Sequence, residues 1–353
     1  MPSIWKQKRT LLVGLTIGIL LGAGGIIFIS PPPQSGTTGT IKTAGSTTVY
    51  PLSQEWSFYF SEDNPGLTVS PSSGGSGVGQ SLVAKGIIDV GASSSFPPTE
   101  YLTQNPQVQI IPVSGDAVAI AANPAINGTE LRMDCDMAVA IFQRNVTTWE
   151  QFQSTFDVKV QQTGPINVYV RSDASGTTAT FAKWLETADE NTNANGAEYT
   201  WRYGHEEAIS FPPGIHSVDG NPGVAAGVQS DDHGIGYMGL AFVENMTPVQ
   251  LYNPGNHEWV VPSLANVIRA FPSTLSSPGQ NLMNSELEGA YPIARLLFYI
   301  VNKDNLQWYT ITYVTWCLVQ GQKYVSHVGY VPINGTSAQY YSLSVVGSLE
   351  SSP

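Results

Sequence analysis

Charge is scarce in this 353-residue chain: Asp, Glu, Lys and Arg together make up 12% of it. A disordered polyelectrolyte is thereby excluded, and the 35 glycines and 24 prolines fit a globular protein rich in turns. Positive charge is the scarcer sign, with 15 basic against 27 acidic residues and a net charge of -12. Such a surface repels a nucleic-acid backbone, so any attraction for a small anion has to be local. Cysteine is nearly absent. Cys135 and Cys317 match no zinc or redox spacing, and either a disulfide or two buried thiols is compatible with them. Five scattered histidines, His205, His216, His233, His257 and His327, form neither HExxH nor His-x-His. No metal, cofactor or catalytic group is therefore expected. Long hydrophobic runs are also missing, with one exception at the N-terminus.

That exception is the uncharged stretch Leu11–Ile29, which follows Lys6, Lys8 and Arg9. Roughly 20 apolar residues are enough to span a bilayer. The basic flank predicts a cytoplasmic N-terminus (1–10), a transmembrane anchor or signal (11–29) and everything after it outside. Residues 30–40, SPPPQSGTTGT from Ser30, read as a linker. The folded part is expected over about 41–343, followed by a flexible Ser-rich tail, 344–353.

Within the folded part, strand-like and helix-like runs alternate. Strands are expected at Thr68–Pro71, Ile87–Ala92, Ile110–Val113, Ala117–Ala122, Ile166–Val170 and Ile235–Met238. Helices are expected at Gly79–Lys85, Met137–Gln143, Thr178–Glu186, Gly223–Gln229 and Trp308–Val319. The alternation predicts an α/β fold with a parallel or mixed sheet. The aromatic run YPIARLLFY (Tyr291–Tyr299) reads as a buried strand.

Three Ser/Thr/Gly turns each sit between a strand-like and a helix-like run. They are Gly45–Thr48, Ser73–Gly79 and Arg171–Thr178. A helix's first N–H groups point at whatever lies beyond the preceding strand, and glycine lets backbone approach it closely. Hydroxyls both donate and accept, which suits an oxyanion in any protonation state. Arg171 ends the apolar run INVYV and can grip two oxygens of a tetrahedral anion, with Asp173 placed to brace it. Any one of these turns alone is an ordinary helix cap. Neither a Walker motif nor a GxSxG elbow is formed at Ser76.

At these residues the sequence resembles the periplasmic phosphate-binding proteins of phosphate-specific ABC transporters. Six landmarks carry the resemblance: GSTTVYP (Gly45–Pro51), SGGSGVGQSLVAKGIIDVGASS (Ser73–Ser94), IFQRNVTTW (Ile141–Trp149), RSDASGTT (Arg171–Thr178), GNPGVAAGVQ with GIGYM (Gly220–Met238), and GYVPI (Gly329–Ile333). The resemblance implies a two-lobed fold with a hinge, lobe I from 41–115 and 246–343 and lobe II from 116–245. It implies an anion held by Thr47, Thr48, Ser76, Ser94, Arg171, Ser175, Gly176 and Thr177, with Asp173 orienting the arginine. Inorganic phosphate would be the ligand and an ABC permease the partner, with the binding domain extracytoplasmic and no enzymatic activity. One departure concerns selectivity. Some relatives carry an aspartate after Gly-Ala-Ser, and here Gly91-Ala92-Ser93 is followed by Ser94. A serine does not repel a fully deprotonated anion, so sulfate is an alternative ligand. A surface phosphatase or an adhesion protein on the same fold are the alternatives of other classes.

Overall fold

The computed structural model describes residues 38–126, 131–188 and 199–350. The apolar run Leu11–Ile29 and most of the linker lie outside them. Among the described residues no helix is long and apolar enough to cross a membrane.

The chain opens with β1 (Gly39–Gly45), α1 (Tyr50–Asp63), β2 (Leu67–Ser73), α2 (Ser76–Ala84), β3 (Val90–Ser93), α3 (Thr99–Gln104) and the long β4 (Val108–Ala122). It continues through β5 (Arg132–Met133), α4 (Cys135–Phe142), α5 (Trp149–Phe156), β6 (Asn167–Arg171), α6 (Gly176–Leu185), β7 (His216–Val218), α7 (Gly220–Ser230) and β8 (Gly234–Gly239). The last part holds β9 (Thr247–Pro248), β10 (Gln250–Asn253), β11 (Glu258–Val260), α8 (Leu264–Ile268), β12 (Ala294–Asn302), α9 (Trp308–Leu318) and α10 (Ser337–Glu350).

Among the described residues the main sheet has the order β2-β1-β3-β12-β4-β8-β6-β7, with β9 also paired to β4. It is mixed. β1 runs parallel to β2 and β3, β12 runs antiparallel to β3 and β4, and β8 runs antiparallel to β4 but parallel to β6. Strand β4 belongs to both halves. Its residues up to Ala117 pair with β12, and those from Val118 pair with β8. The two apolar runs expected as separate strands are thus one strand. Pro112 sits in it, where it has no N–H to give. The register slips there, so that Ser114 faces Leu297 while Pro112 faces Phe298, and the bulge absorbs the missing donor.

All nine residues of β12 are buried, as YPIARLLFY suggests. Each half packs its own aromatic helices against this sheet. Trp56 and Phe60 of α1 are fully buried, and Phe60 lies edge-on to Tyr313 of α9. Phe181 of α6 stacks on Tyr237 of β8 with ring centroids 4.3 Å apart. Cys135 and Cys317 are both buried and form no disulfide with each other.

Some local expectations need correction. Only Val90–Ser93 of the run 87–92 and its flank is strand, and Ile87 is exposed. The supposed flexible tail is helical through Glu350, with Val346 and Leu349 buried. Serine there costs little helix propensity, and Val346 and Leu349 anchor one face. Helix α2 starts at Ser76, three residues before the expected start, so Ser76 lies in the first turn.

Candidate functional site

Strands β1, β2, β3 and β6 end at one place, where α1, α2 and α6 begin. Each local turn is held by its own chemistry. In the first, Ser46 Oγ accepts from Thr48 N at 3.1 Å and Pro51 opens α1. In the second, Gly75 caps α2 with φ 93°, and a Cβ there would meet Ala174 O at 2.5 Å. In the third, Ser175 Oγ accepts from Thr177 N and Thr178 N, both at 3.2 Å, as a helix cap. Gly176 is crowded from three sides. A Cβ on it would lie 2.6 Å from Ser95 N, 2.7 Å from Ser76 Oγ and 2.8 Å from Ser94 Oγ.

The sequence-predicted residues come together. Thr48 Oγ1 and Thr177 Oγ1 share a hydrogen bond of 2.8 Å, and Ser76 Oγ and Ser94 Oγ one of 3.2 Å. Thr47 Oγ1 accepts from Asn221 N at 3.3 Å. Thr48, Ser76, Ser94, Arg171, Ser175 and Thr177 are all buried. Arg171 and Asp173 form a bidentate pair, with Nε donating to Oδ1 at 2.7 Å and Nη2 donating to Oδ2. Burial opposes the charge on Asp173. The hydrogen bonds and charge of Arg171, with the N–H of Gly220, outweigh it and hold the carboxyl below its usual range.

Ser175 departs in part from its expected place. Its hydroxyl oxygen is engaged with its own helix and its N–H donates to Glu207 O at 2.9 Å, so a free backbone donor is not what it offers.

Three residues that the turns did not point to join the cluster. Arg295, from β12, donates through Nη2 to Thr177 Oγ1 at 3.1 Å and to Thr48 Oγ1 at 3.5 Å. Its Nη1 donates to Ser94 O at 3.1 Å. Asp116, from β4, accepts from Arg295 Nε at 3.0 Å and Nη2 at 2.6 Å. Asn221, at the start of α7, donates Nδ2–H to Thr48 Oγ1 at 2.8 Å and accepts from Arg171 Nη1 at 3.3 Å. Complete burial pushes the Asp116 carboxyl up and the Arg295 guanidinium down, while their mutual attraction works against both shifts. The signal that could have found the pair is a lone charge in each of two otherwise apolar runs. Asn221 lies inside the Gly220–Gln229 landmark.

Two guanidinium groups, each neutralised by a carboxylate, thus border a patch of buried hydroxyls contributed by elements far apart in sequence. Each hydroxyl–hydroxyl bond leaves either oxygen able to rotate its proton towards a third acceptor. The cradle can therefore donate several hydrogen bonds to one oxyanion without stranding an acceptor.

The model of the PBP superfamily domain matches residues 30–316. The phosphate-binding protein PstS of Xylella fastidiosa is 28% identical over 322 residues, covering 86% of this chain and 84% of that protein. A high-affinity periplasmic phosphate-binding protein (PfluDING) solved with bound phosphate has a TM-score of 0.66 at 18% identity, covering 87% of this chain and 93% of that one. An ABC-type phosphate transport receptor from Vibrio cholerae has a TM-score of 0.57 at 17% identity, covering 83% of this chain and all of that one. The mixed α/β architecture described above is the two-lobed fold of these structures.

Proposed function

We propose that this chain, which belongs to the PBP superfamily, captures inorganic phosphate outside the cytoplasm and hands it to an ABC permease, without chemistry of its own. The observation that carries this reading is the convergence of Thr48, Ser76, Ser94, Thr177, Arg171 and Arg295 on one buried patch. The relatives named phosphate-binding and phosphate transport receptor supply the ligand and the partner class.

Binding follows from the donors. Thr47, Thr48, Ser76 and Ser94 come from the first half of the chain, and Arg171, Gly176 and Thr177 from the middle. An anion between them accepts from hydroxyls that now bond to one another, and Arg171 adds charge while Asp173 keeps its fork in plane. Because each arginine already has its carboxylate, the cradle itself is near neutral and costs little to hold closed. Closure then needs only the sum of hydrogen bonds across the cleft, such as Thr48 to Thr177 and Asn221 to Thr48.

Strand pairing supports placing the lobe boundary inside β4, where partners change after Ala117. It also supports assigning 246–260 to lobe II in place of lobe I, because β9 pairs with the second half of β4 and β10 pairs with β5. The run 11–29 serves in this reading as the tether that keeps the lobes beside the permease.

Titration calorimetry of the full-length chain with phosphate and with sulfate, each at two pH values, tests the reading. Saturable phosphate binding is expected, with sulfate competing because Ser94 stands where some relatives carry an aspartate, and Asp173 and Asp116 are both engaged by arginines. A chain that takes up no oxyanion at either pH would remove the proposal.

A further inference from the structure

A cleft of about 370 Å3 opens directly beside the cradle and shares Ser94 and Arg295 with it. Resting on the oxyanion reading above, we propose that this cleft is a second subsite that receives the organic substituent of a phosphomonoester or phosphonate whose phosphorus group sits in the cradle.

Its walls are the reason. Phe96 and Phe298 meet edge to face with centroids 6.0 Å apart, and Leu282 and Met283 complete an apolar side. An inorganic ion gains nothing from ring faces and aliphatic carbon, whereas a carbon substituent does. The opposite side is polar, with exposed Lys183 and Glu206 at the rim and the half-buried Glu207 behind them. Glu207 Oε1 is held by Ser95 Oγ at 2.7 Å and Gln80 Nε2 at 2.9 Å, so that wall is fixed and not a loose surface chain. An apolar cavity of roughly 300–1,000 Å3 with a few placed polar groups is the usual form of a small-molecule site. The volume here suits a short, hydroxylated or amino-bearing carbon chain.

The junction between cradle and cleft is compatible with an ester. Ser94 borders both, and its hydroxyl can donate to a bridging ester oxygen as well as accept from a protonated one. Arg295 Nη1, on Ser94 O and Gly176 O, lines the same boundary and adds positive charge there. Thr180 lies one turn after Gly176, whose carbonyl accepts its hydroxyl at 2.8 Å, and forms the remaining edge.

The test is competition calorimetry on the full-length chain with three probes: inorganic phosphate, methylphosphonate and glycerol 3-phosphate. Glycerol 3-phosphate is expected to bind within about tenfold of phosphate and to compete with it. Met283→Trp, which fills the cleft from a residue outside the cradle, is expected to weaken glycerol 3-phosphate at least about tenfold and phosphate less than about twofold. Gln280→Trp on the neighbouring loop gives the same reading if the first variant fails to fold. Phosphate binding with no competition from glycerol 3-phosphate overturns the substituent subsite and leaves the cradle standing. Equal weakening of both ligands, or of neither, overturns the location. If none of the three probes binds, the oxyanion reading itself falls, and this proposal with it.

Discussion

Two arginine–aspartate pairs border the cradle, and the fold makes them in different ways. Arg171 and Asp173 are two residues apart on one turn, and the carboxylate also takes the N–H of Gly220. Arg295 and Asp116 lie 179 residues apart, on neighbouring strands β12 and β4, at a paired position in the register. The first pair is a local device at the edge of the site, with Asp173 held below its usual carboxyl range by its arginine. The second is sunk in the sheet, where burial dominates and raises Asp116. The same two residue types therefore serve different ends. In the proposed reading one offers a guanidinium to the anion, while the other ties two strands together and lends its spare donors to Thr48, Thr177 and Ser94.

The contrast is sharpest in what each loss should cost. Asp116→Ala leaves Arg295 buried and uncompensated, and a loss of about 3–5 kcal/mol in folding stability is expected by urea titration. Replacing the pair together, Asp116→Leu with Arg295→Met, should recover most of that stability while weakening phosphate binding. Full recovery of both would show that Arg295 lends nothing to the cradle. Arg171→Ala also strands a buried partner, Asp173, so some folding stability should go, but its distinguishing mark should be a loss of about 2–5 kcal/mol in phosphate affinity by calorimetry, because the anion loses its facing cation. Wild-type affinity in that variant would erase the distinction drawn here.

The smallest difference should be seen in acid. The depressed Asp173 carboxyl contributes stability that is present above about pH 3.9, its unfolded value, and is lost as pH falls through its lower folded value. Asp116 runs the other way. Burial raises its carboxyl above the unfolded value, so its contribution is full below the unfolded value and shrinks as pH rises through the raised one. Asp173→Asn should therefore flatten the acid limb of a stability–pH curve. Asp116→Asn should not flatten it, and equal flattening by both would contradict the opposite shifts.

The same contrast measures how much could be read from the chain. Arg171 and Asp173 were legible because they share a turn with Ser175, Gly176 and Thr177, and local chemistry is written in consecutive residues. Arg295 and Asp116 were not, because strand register is a property of the whole sheet. Asn221 stood in view inside Gly220–Gln229, but its reach to Thr48 depends on where α7 starts relative to α1. Among the elements, Met137–Gln143 and Thr178–Glu186 were visible from their apolar spacing. Helix α1 is not legible in the sequence, since its aromatic run Trp56–Phe60 suggests a strand as readily as a helix. Helix α10 was hidden by its serines, and its stability comes from burying Val346 and Leu349, a tertiary effect.

Strand β4 has a mechanical corollary. One fifteen-residue stretch of backbone is a member of both halves of the sheet, flanked by β12 along its first part and β8 along its second. Neither half can melt without stripping partners from a strand the other still needs. The halves should consequently denature together in a single calorimetric peak, and a chain nicked between Ala117 and Val118 should yield no independently folding fragment.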